Sequence, residues 1–241
     1  MIGTKLSDEK KDYLDVKYDK NEKPLTNFPE KLIHHLVERF QLDPNSVILE
    51  LGCGRCETLR VFSDLGFSSF GVDSSHKSKE YAPDSIKDVK ISDLENDELP
   101  FSSEQFDIIF SKSVIEHISN PSILMKEILR ILKPGGVIIA LTPEWVSQME
   151  TFYEDPTHVH PYQPKGLEDL LIMSGFTNTS SEIFFYHEYL WESAFWRSIA
   201  SILQKFISTK GARRLSTLTG IKFLRWSVEK QVLGFGKKPT L

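Results

Sequence analysis

Cysteine is scarce in this sequence, and long apolar runs are absent from it. The 241 residues include two cysteines, Cys53 and Cys56, so cysteine alone cannot build a structural zinc site. No apolar run approaches the ~20 residues that a membrane-spanning helix needs. The charged N-terminus lacks the apolar core of a signal peptide, and the composition is that of an ordinary globular protein. We therefore expect a cytoplasmic protein, with peripheral membrane association as an alternative.

Two familiar phosphate-binding signatures are also missing. A dinucleotide fingerprint requires Gly-x-Gly-x-x-Gly, but Glu57 occupies the position of its third glycine, where a carboxylate would face the pyrophosphate. A Gly-x-x-x-x-Gly-Lys-Ser/Thr loop does not occur either. The spacing of Cys53 and Cys56 occurs in redox motifs, but both lie in a glycine-rich loop that needs small side chains, and we favour that explanation.

A strand, a glycine-rich loop and a helix are predicted in direct succession. The aliphatic run Val47–Leu51 is typical of a buried strand, and Gly52 and Gly54 follow it before a helical pattern begins near Glu57. Glycines at such a strand end let a ligand lie against the backbone. Asp73 lies 21 residues after Gly52, close to the ~20-residue offset of a ribose-binding acid. The pattern predicts a nucleoside-like ligand at the strand end.

Five segments between residues 30 and 185 follow one another along the chain. The first, Glu50-Leu51-Gly52-Cys53-Gly54, begins a loop of the form Glu/Asp-x-Gly-x-Gly-x-Gly in which Cys56 stands at the third glycine. The others are Asp73, residues 91–94 ahead of 99–101, residues 106–111 ahead of 114–117, and residues 132–136 ahead of 137–140. In this order the segments resemble those of the class I S-adenosylmethionine-dependent methyltransferases. The chain looks like the type-11-like branch, whose bacterial members modify small molecules or glycans.

The resemblance implies S-adenosylmethionine as the cofactor and gives binding roles to the motif residues. The methionine end would be enclosed by Glu50, Gly52, Cys53 and Gly54. The ribose would be bound by Asp73 with Ser74, and the adenine by Asp93 with Leu94. The floor of the site would begin at Ser111. Methyl transfer does not require a metal, and none is predicted.

Three histidines are candidates for a catalytic or acceptor-binding group. His158 and His160 lie in the polar loop Tyr153–Tyr162, which in the family often faces the acceptor, and His117 follows the fourth predicted strand. For a hydroxyl acceptor, histidine is a natural general base; His158 is the first choice and His160 the second. Each of the three has an alternative, structural role in ordering the backbone or packing under the cofactor. A metal site at the His-x-His pair is disfavoured because its ligand set is incomplete.

Alternating strand and helix patterns predict an α/β fold, a doubly wound and mostly parallel sheet with helices on both faces. The resemblance implies a Rossmann-like sheet of seven strands. We expect a cap segment at residues 1–28, a cofactor-binding methyltransferase domain at residues 29–186, and a basic amphipathic helical extension at residues 187–241.

The last part of the chain differs in charge from the rest. From residue 184 to residue 241 there are ten Lys or Arg and three Asp or Glu, a balance of +7, which leaves −12 for the remaining residues. Residues 189–207 have the apolar spacing of one amphipathic helix. We favour packing of this segment on the acidic body as a lid or a homodimer surface; the alternative is contact with an anionic membrane through residues 189–226. Nucleic acid is not expected as a partner, because the body is acidic.

The sequence therefore predicts an S-adenosylmethionine-dependent methyltransferase acting on a small or lipid-linked acceptor, and we expect O-methylation. One alternative is N- or C-methylation of another small molecule or a macromolecule. However, Ser111-Lys112-Ser113-Val114 stands where many N-methyltransferases carry an Asn/Asp-Pro-Pro-Tyr-type motif. The other alternative is a non-catalytic cofactor-binding or membrane-associated module, which the intact glycines and Asp73 disfavour.

Overall fold

The computed structural model describes residues 12–17 and 25–240. Of the cap segment predicted at residues 1–28, residues 1–11 and 18–24 therefore lie outside the described residues. Within the described ranges the chain forms one seven-stranded sheet with helices packed on both faces. No helix in these ranges is both long enough and apolar enough to cross a membrane.

The sheet is mostly parallel, with one strand antiparallel to its neighbours. Its strands are β1 Val47–Leu51, β2 Ser68–Asp73, β3 Asp88–Ile91, β4 Phe106–Lys112, β5 Leu132–Pro143, β6 Thr177–Phe185 and β7 Lys230–Lys237. They lie in the order β3-β2-β1-β4-β5-β7-β6. The first five run parallel, and β7 pairs antiparallel with both β5 and β6. The predicted doubly wound, seven-stranded fold is confirmed.

Helices connect the parallel strands and then form the segment before β7. They are α1 Tyr13–Lys17, α2 Phe28–Phe40, α3 Glu57–Asp64, α4 Ser78–Tyr81, α5 Pro121–Ile131, α6 Trp145–Gln148, α7 Pro164–Ser174, α8 Tyr189–Glu192, α9 Ala194–Phe206, α10 Thr209–Thr219 and α11 Lys222–Trp226. Two short 3₁₀ helices span Ile115–His117 and Phe152–Glu154. Helix α7 ends at Gly175, which has φ +102° and provides a left-handed cap.

Two apolar layers hold the helices against the sheet. Neighbouring side chains of a strand point to opposite faces, so the fully buried Ile48 packs in the layer of α2 and α3, and the fully buried Leu49 in that of α5 and α7. Each such side chain contributes roughly 1.5–3 kcal/mol on burial. Both faces are therefore covered, and the carboxyl ends of the strands form the edge at which the glycine loop begins.

The last strand of the sheet comes from residues that the sequence assigned to an extension. Strand β7 lies between β5 and β6, where Phe235 pairs with Ile139 on one side and Ser180 on the other. The predicted boundary at residue 186 is corrected accordingly, because residues 230–237 belong to the sheet. The strand was not evident from the sequence because its short apolar run includes two glycines, which weaken a strand pattern.

The segment between β6 and β7 forms four helices, α8 to α11, rather than the single helix predicted at residues 189–207. Ser193 separates α8 from α9, and its Oγ accepts a backbone N–H of α9 as an N-cap. The segment is tied to the start of β7 through the buried carboxylate of Glu229, which pairs with Arg213 of α10 and, at 2.9 Å, with Arg225 of α11.

Candidate active site

A cavity of about 300 Å³ opens at the carboxyl ends of β1, β2 and β4. This is the edge at which open α/β sheets bind ligands. Seven of the predicted site residues lie in its wall: Gly52, Gly54, Asp73, Ser74, Asp93, Leu94 and His117.

The first glycine of the loop occupies a position that admits no side chain. Gly52 has φ +65°, and a Cβ built on it would lie 2.4 Å from Cγ2 of Val114. Both the left-handed backbone and the close approach of Val114 therefore require glycine here. As a result, the bare backbone of the loop forms part of the cavity wall.

Asp73 is held by the loop and by its own strand end. The backbone N–H of Gly54 donates to Oδ2 at 2.7 Å, and that of Ser75 donates to Oδ1 at 2.9 Å. Burial raises the pKa of the Asp73 carboxyl above its usual value, and the two backbone donors act in the opposite direction. The carboxylate is thus oriented before a ligand binds, with acceptor capacity remaining for ribose hydroxyls.

Asp93 occupies a more exposed part of the wall. Its Oδ1 accepts the backbone N–H of Glu95 at 3.0 Å, and its Oδ2 accepts the side-chain amide of Asn96 at 2.8 Å. The bond from Asn96 lowers the pKa of the Asp93 carboxyl. The residue is therefore an ionised acceptor, the chemistry needed for the exocyclic amine of adenine.

Helix α1 contributes to the cavity from the N-terminal side. Tyr13 and Leu14 line the cavity. The helix is anchored by Asp12, which accepts the Ser75 hydroxyl at 2.8 Å, and by an ion pair of Asp15 with Lys77 at 2.6 Å. Since the backbone N–H of Ser75 also donates to Asp73, the anchor of α1 lies next to the predicted ribose-binding acid.

The two cysteines are buried, free thiols within the loop. Cys56 has φ +56°, so the chain keeps the left-handed backbone that a third glycine would provide. A hydrogen bond with Cys56 and burial together raise the pKa of the Cys53 thiol far above its usual value. Cys53 therefore stays a thiol, and this opposes a redox role that needs a thiolate.

Three predicted cofactor residues do not reach the cavity wall. Glu50, Cys53 and Ser111 are buried beneath it, and Glu50 instead accepts the hydroxyl of Thr58. Burial raises the pKa of Glu50 to about 8. At the end of β4, Lys112 lines the cavity in place of Ser111, and burial lowers the pKa of its amine.

His117 lies in the cavity wall and is oriented by a chain of hydrogen bonds. Oγ1 of Thr157 donates to Oδ1 of Asp155 at 2.6 Å, so it accepts the proton of His117 Nδ1 at 2.9 Å. In the neutral ring this arrangement leaves the basic lone pair on Nε2. The geometry is that of a histidine base held by a second polar group.

Next to His117 lies a fully buried carboxyl group. Oε2 of Glu116 accepts the hydroxyl of Thr142 at 2.9 Å, and Oε1 lies 4.0 Å from Nε2 of His117. Burial raises the pKa of Glu116 to about 7. The backbone carbonyl of the same residue accepts the N–H groups of Val159 and His160, at 2.8 and 3.0 Å. Glu116 therefore joins β5 to the loop Tyr153–Tyr162 behind the cavity. We call this loop the histidine loop.

The other two predicted histidines lie outside the cavity wall. Nδ1 of His158 donates to the carbonyl of Phe152 at 2.7 Å, and its ring packs against those of Phe152 and His117, with centroid distances of 4.4 and 4.7 Å. Nε2 of His160 donates to the carbonyl of Ser119 at 3.0 Å. These contacts order the loop, so the structure favours His117 over His158 as the candidate base.

Glu116, His117 and His158 are a possible ligand set for a metal ion. One ligand atom of each lies within 4.8 Å of the others. Ligand atoms about 2.0–2.2 Å from a zinc ion lie no more than about 4.4 Å apart. The 4.0 Å between Oε1 of Glu116 and Nε2 of His117 is within that limit, but the hydrogen bonds described above already account for the geometry of the cluster.

Sequence reasoning missed eight residues of the wall, among them three whose polar groups reach it from outside the cofactor motifs. Tyr13, Lys112 and Thr157 line the cavity, but none belongs to a cofactor motif. Thr157 lies in the Asp-Pro-Thr-His stretch that pointed to His158, so the predicted loop reaches the wall through a neighbouring side chain. Lys112 directly follows the predicted Ser111, and the alternation of strand side chains would have suggested it.

A parallel sheet with a glycine loop after β1, an acid at the end of β2 and a cavity between them defines the cofactor-binding site of a class I methyltransferase. A family model described as a methyltransferase domain matches residues 24–181, more than half of the chain. The chain belongs to this family of S-adenosylmethionine-dependent methyltransferases.

Curated relatives share the central part of the chain. A sterol 4-C-methyltransferase (strm-1) of Caenorhabditis elegans is 30% identical over 116 residues, 45% of this chain and 35% of that protein. A 2-methyl-6-phytyl-1,4-hydroquinone methyltransferase of a Synechocystis strain is 29% identical over 41% of this chain and 32% of that protein. A ubiquinone biosynthesis O-methyltransferase of Brucella melitensis is 26% identical over 50% of this chain and 54% of that protein. The matches therefore span between about a third and about half of these relatives.

Solved structures share the fold over nearly the whole chain. A complex of the Haloferax volcanii Trm112 methyltransferase activator with a methyltransferase has a TM-score of 0.70 at 18% identity, covering 95% of this chain and 99% of that one. A SAM-dependent methyltransferase from Archaeoglobus fulgidus has a TM-score of 0.63 at 20% identity, covering 94% of this chain and 100% of that one. At these identities the likeness shows the fold.

Proposed function

We propose that this protein transfers the methyl group of S-adenosylmethionine to a hydroxyl group of a lipid-soluble or lipid-linked acceptor. The observation that carries the proposal is the imidazole of His117, which lies in the wall of the cofactor cavity and is oriented by Thr157 and Asp155. A base at this place is needed for a hydroxyl acceptor, because a neutral hydroxyl is a weak nucleophile.

The residues of the cavity divide the work between binding and proton transfer. When bound, S-adenosylmethionine supplies an electrophilic methyl group on a positively charged sulfur. Asp73 and Asp93 would hold its nucleoside, while Nε2 of His117 would take the proton that the acceptor hydroxyl loses as its oxygen replaces sulfur on the methyl carbon. The positive charge on the ring is stabilised through Thr157 and Asp155, and the proton then passes to solvent. Positioning and general-base catalysis together supply the rate.

The apolar character of the acceptor is supported by the relatives and by the histidine loop. The three relatives described above are named for a sterol, a phytyl-hydroquinone and ubiquinone biosynthesis, all chemically lipid-soluble. The segment that leads to Thr157 also exposes Val146, Met149 and Tyr153. In the cavity wall itself, Tyr13, Leu14 and Val114 are apolar, and such a lining suits an apolar acceptor.

The test combines calorimetry with a transfer assay. The protein is titrated with S-adenosylhomocysteine, and methyl transfer is then measured to a phenol that carries a short isoprenoid chain, to the same phenol without the chain, and to a monosaccharide. We expect nucleoside binding and preferred methylation of the isoprenoid phenol. His117→Gln should reduce turnover by about 100-fold, while the control His34→Gln, on the exposed part of α2, should not. Preferred methylation of the sugar would overturn the acceptor class, and full activity of His117→Gln would overturn the base.

C-methylation is the second candidate, and it shares the same base. The sterol relative is named as a C-methyltransferase, and a deprotonated phenol is also nucleophilic at its ring carbons. The position of the new methyl group in the product, read by NMR, decides between oxygen and carbon.

A further inference from the structure

Helices α9 and α10, and Ile221 just before α11, present a set of apolar side chains to solvent, interleaved with cations. We call this surface the basic apolar face. Its exposed apolar members are Phe195, Ile202, Phe206, Leu215, Leu218 and Ile221. Phe206 and Leu218 are each 82% exposed and Phe195 is 67% exposed, values that large apolar side chains reach only where nothing in the described chain covers them.

The apolar members of α9 lie on one stripe. Phe195, Ile202 and Phe206 are separated by seven and four residues, spacings that bring side chains to the same side of an α-helix. Ala200, in the same helix, is fully buried, and it lies on the side that packs on the body. Helix α9 therefore has two apolar sides, one that packs on the body and one that faces solvent. An ordinary surface helix has only the first.

The charge of this segment is entirely positive. Residues 194–226 contain seven Lys or Arg and no Asp or Glu. Lys205, Lys210, Arg214 and Lys222 form no ion pair with any residue of the described ranges. On α10, Lys210, Arg214 and Leu218 are spaced by four residues and so share one side of the helix, which places cations beside an exposed leucine.

The three helices form a fixed unit rather than independent arms. Trp196 of α9 and Phe223 of α11 meet edge to face with a centroid distance of 5.2 Å, and the side-chain amide of Gln204 donates to the carbonyl of Ser227 at 2.6 Å. Arg213 of α10 pairs with Glu154 of the histidine loop at 2.9 Å. The basic apolar face is therefore held in one orientation relative to the loop beside the cofactor cavity.

We propose that the basic apolar face docks on the surface of an anionic lipid membrane. The cations match the negative charge of the lipid phosphates, and the apolar side chains reach the boundary between headgroups and acyl chains. A second copy of the chain is disfavoured, since the same positive face would meet itself in a symmetric dimer. A nucleic acid would neutralise the cations but would leave Phe206 and Leu218 in water. The docking does not depend on which acceptor is methylated.

The pairing of Arg213 with Glu154 gives the docking a direction. It places α10 against the loop that carries Thr157 and His158, and the backbone N–H of Lys210 also donates to Glu150 of this loop region at 3.2 Å. A membrane in contact with α10 would therefore lie next to the loop that borders the cofactor cavity.

The test is binding of the full chain to vesicles of phosphatidylcholine, with and without one quarter phosphatidylglycerol, measured by co-sedimentation. We expect at least ten-fold tighter binding to the anionic vesicles and weaker binding as salt is added. Lys210→Gln with Arg214→Gln, and separately Phe206→Ser with Leu218→Ser, should each weaken binding at least ten-fold. The matched controls are Lys87→Gln with Lys126→Gln, and Ile123→Ser with Met173→Ser, at exposed positions elsewhere; both should bind within two-fold of the unchanged protein.

Folding of each variant is checked by its affinity for S-adenosylhomocysteine, which should be unchanged because the basic apolar face lies outside the cofactor cavity. Equal binding to neutral and anionic vesicles, or equal losses in the controls, would overturn the proposal. A dimer in sedimentation velocity that Phe206→Ser with Leu218→Ser dissociates, without vesicle binding, would assign the face to a second copy. Tighter binding to duplex DNA than to anionic vesicles would assign it to nucleic acid.

Discussion

The backbone N–H of Gly54 lies 2.7 Å from Oδ2 of Asp73. This hydrogen bond joins the glycine loop after β1 to the acid at the end of β2, so the two parts of the predicted nucleoside site are positioned by each other. The second oxygen of Asp73 is held by the N–H of Ser75 at 2.9 Å. The site is therefore organised by backbone groups, which side-chain substitutions nearby do not remove.

Asp73→Asn is expected to weaken the binding of S-adenosylhomocysteine. The amide keeps the size of the carboxylate but offers one acceptor oxygen in place of two and loses the charge. Hydrogen bonds to a charged group contribute about 1.5–3 kcal/mol, so the dissociation constant should rise roughly 10- to 100-fold in calorimetry. Asp84→Asn, at an exposed position, is the control. An unchanged dissociation constant would remove Asp73 from the ribose site.

His158→Ala is expected to lower turnover with little effect on cofactor affinity. His158 packs between Phe152 and His117, so its loss loosens the loop that orients the His117 ring. The free energy of unfolding in urea should fall by about 1–3 kcal/mol, and kcat should fall more than KM changes. His158→Phe keeps the ring packing and should recover part of the kcat. Loss of S-adenosylhomocysteine binding in the alanine variant would place His158 in the cofactor pocket instead.

Cys56 offers a test of backbone strain in the cofactor loop. Its left-handed backbone, with φ +56°, costs a non-glycine residue about 1–2 kcal/mol, while its buried side chain contributes a similar amount. Cys56→Gly should therefore change the free energy of unfolding by no more than about 1 kcal/mol and retain cofactor binding. Cys56→Val, β-branched at the same φ, should cost at least about 2 kcal/mol. Equal stability of the two variants would contradict the strain.

Glu116 predicts how stability depends on pH. Its pKa is about 7 in the folded protein and about 4.3 in an unfolded chain, so the folded state keeps a proton that the unfolded state releases. The associated stabilisation is fully present below pH 4.3 and is lost as the pH rises through 7. Relative to Glu116→Gln, the free energy of unfolding of the unchanged protein should fall by on the order of 3 kcal/mol between pH 4.5 and 8.

Urea unfolding of both proteins across this pH range measures the difference, and terms from other titrating groups cancel in the comparison. Ser103→Ala, at an exposed position without a titratable group, is the control and should differ from the unchanged protein by a constant amount at every pH. A constant difference between Glu116→Gln and the unchanged protein at all pH values would show that Glu116 has an ordinary pKa.

The parts of the fold that follow from local patterns were predictable. Strand β1 was predicted at its observed bounds, and the glycine loop and Asp73 were placed at the strand ends, because a buried run and its turn residues are adjacent in sequence. The role of His158 was not predictable in this way. Its ring direction depends on the carbonyl of Phe152, a contact set by the folded loop. Strand β7 was missed because its two glycines weaken the sequence pattern of a strand. Its place in the sheet is set by pairing with β5 and β6, which the sequence does not show.

The position of β7 also sets an order for folding. Strand β6 pairs with β7 and not directly with β5, so during synthesis β6 exists before its neighbour in the sheet has been made. The five parallel strands can assemble earlier, because their contacts come from residues already present. The pairing of β6 with β7 must wait for β7, which follows helices α8 to α11 in the chain. A pairing between residues so far apart in sequence forms slowly compared with local contacts. The strand ends that border the cofactor cavity can therefore meet before β7, which follows the basic apolar face in the chain, completes the sheet.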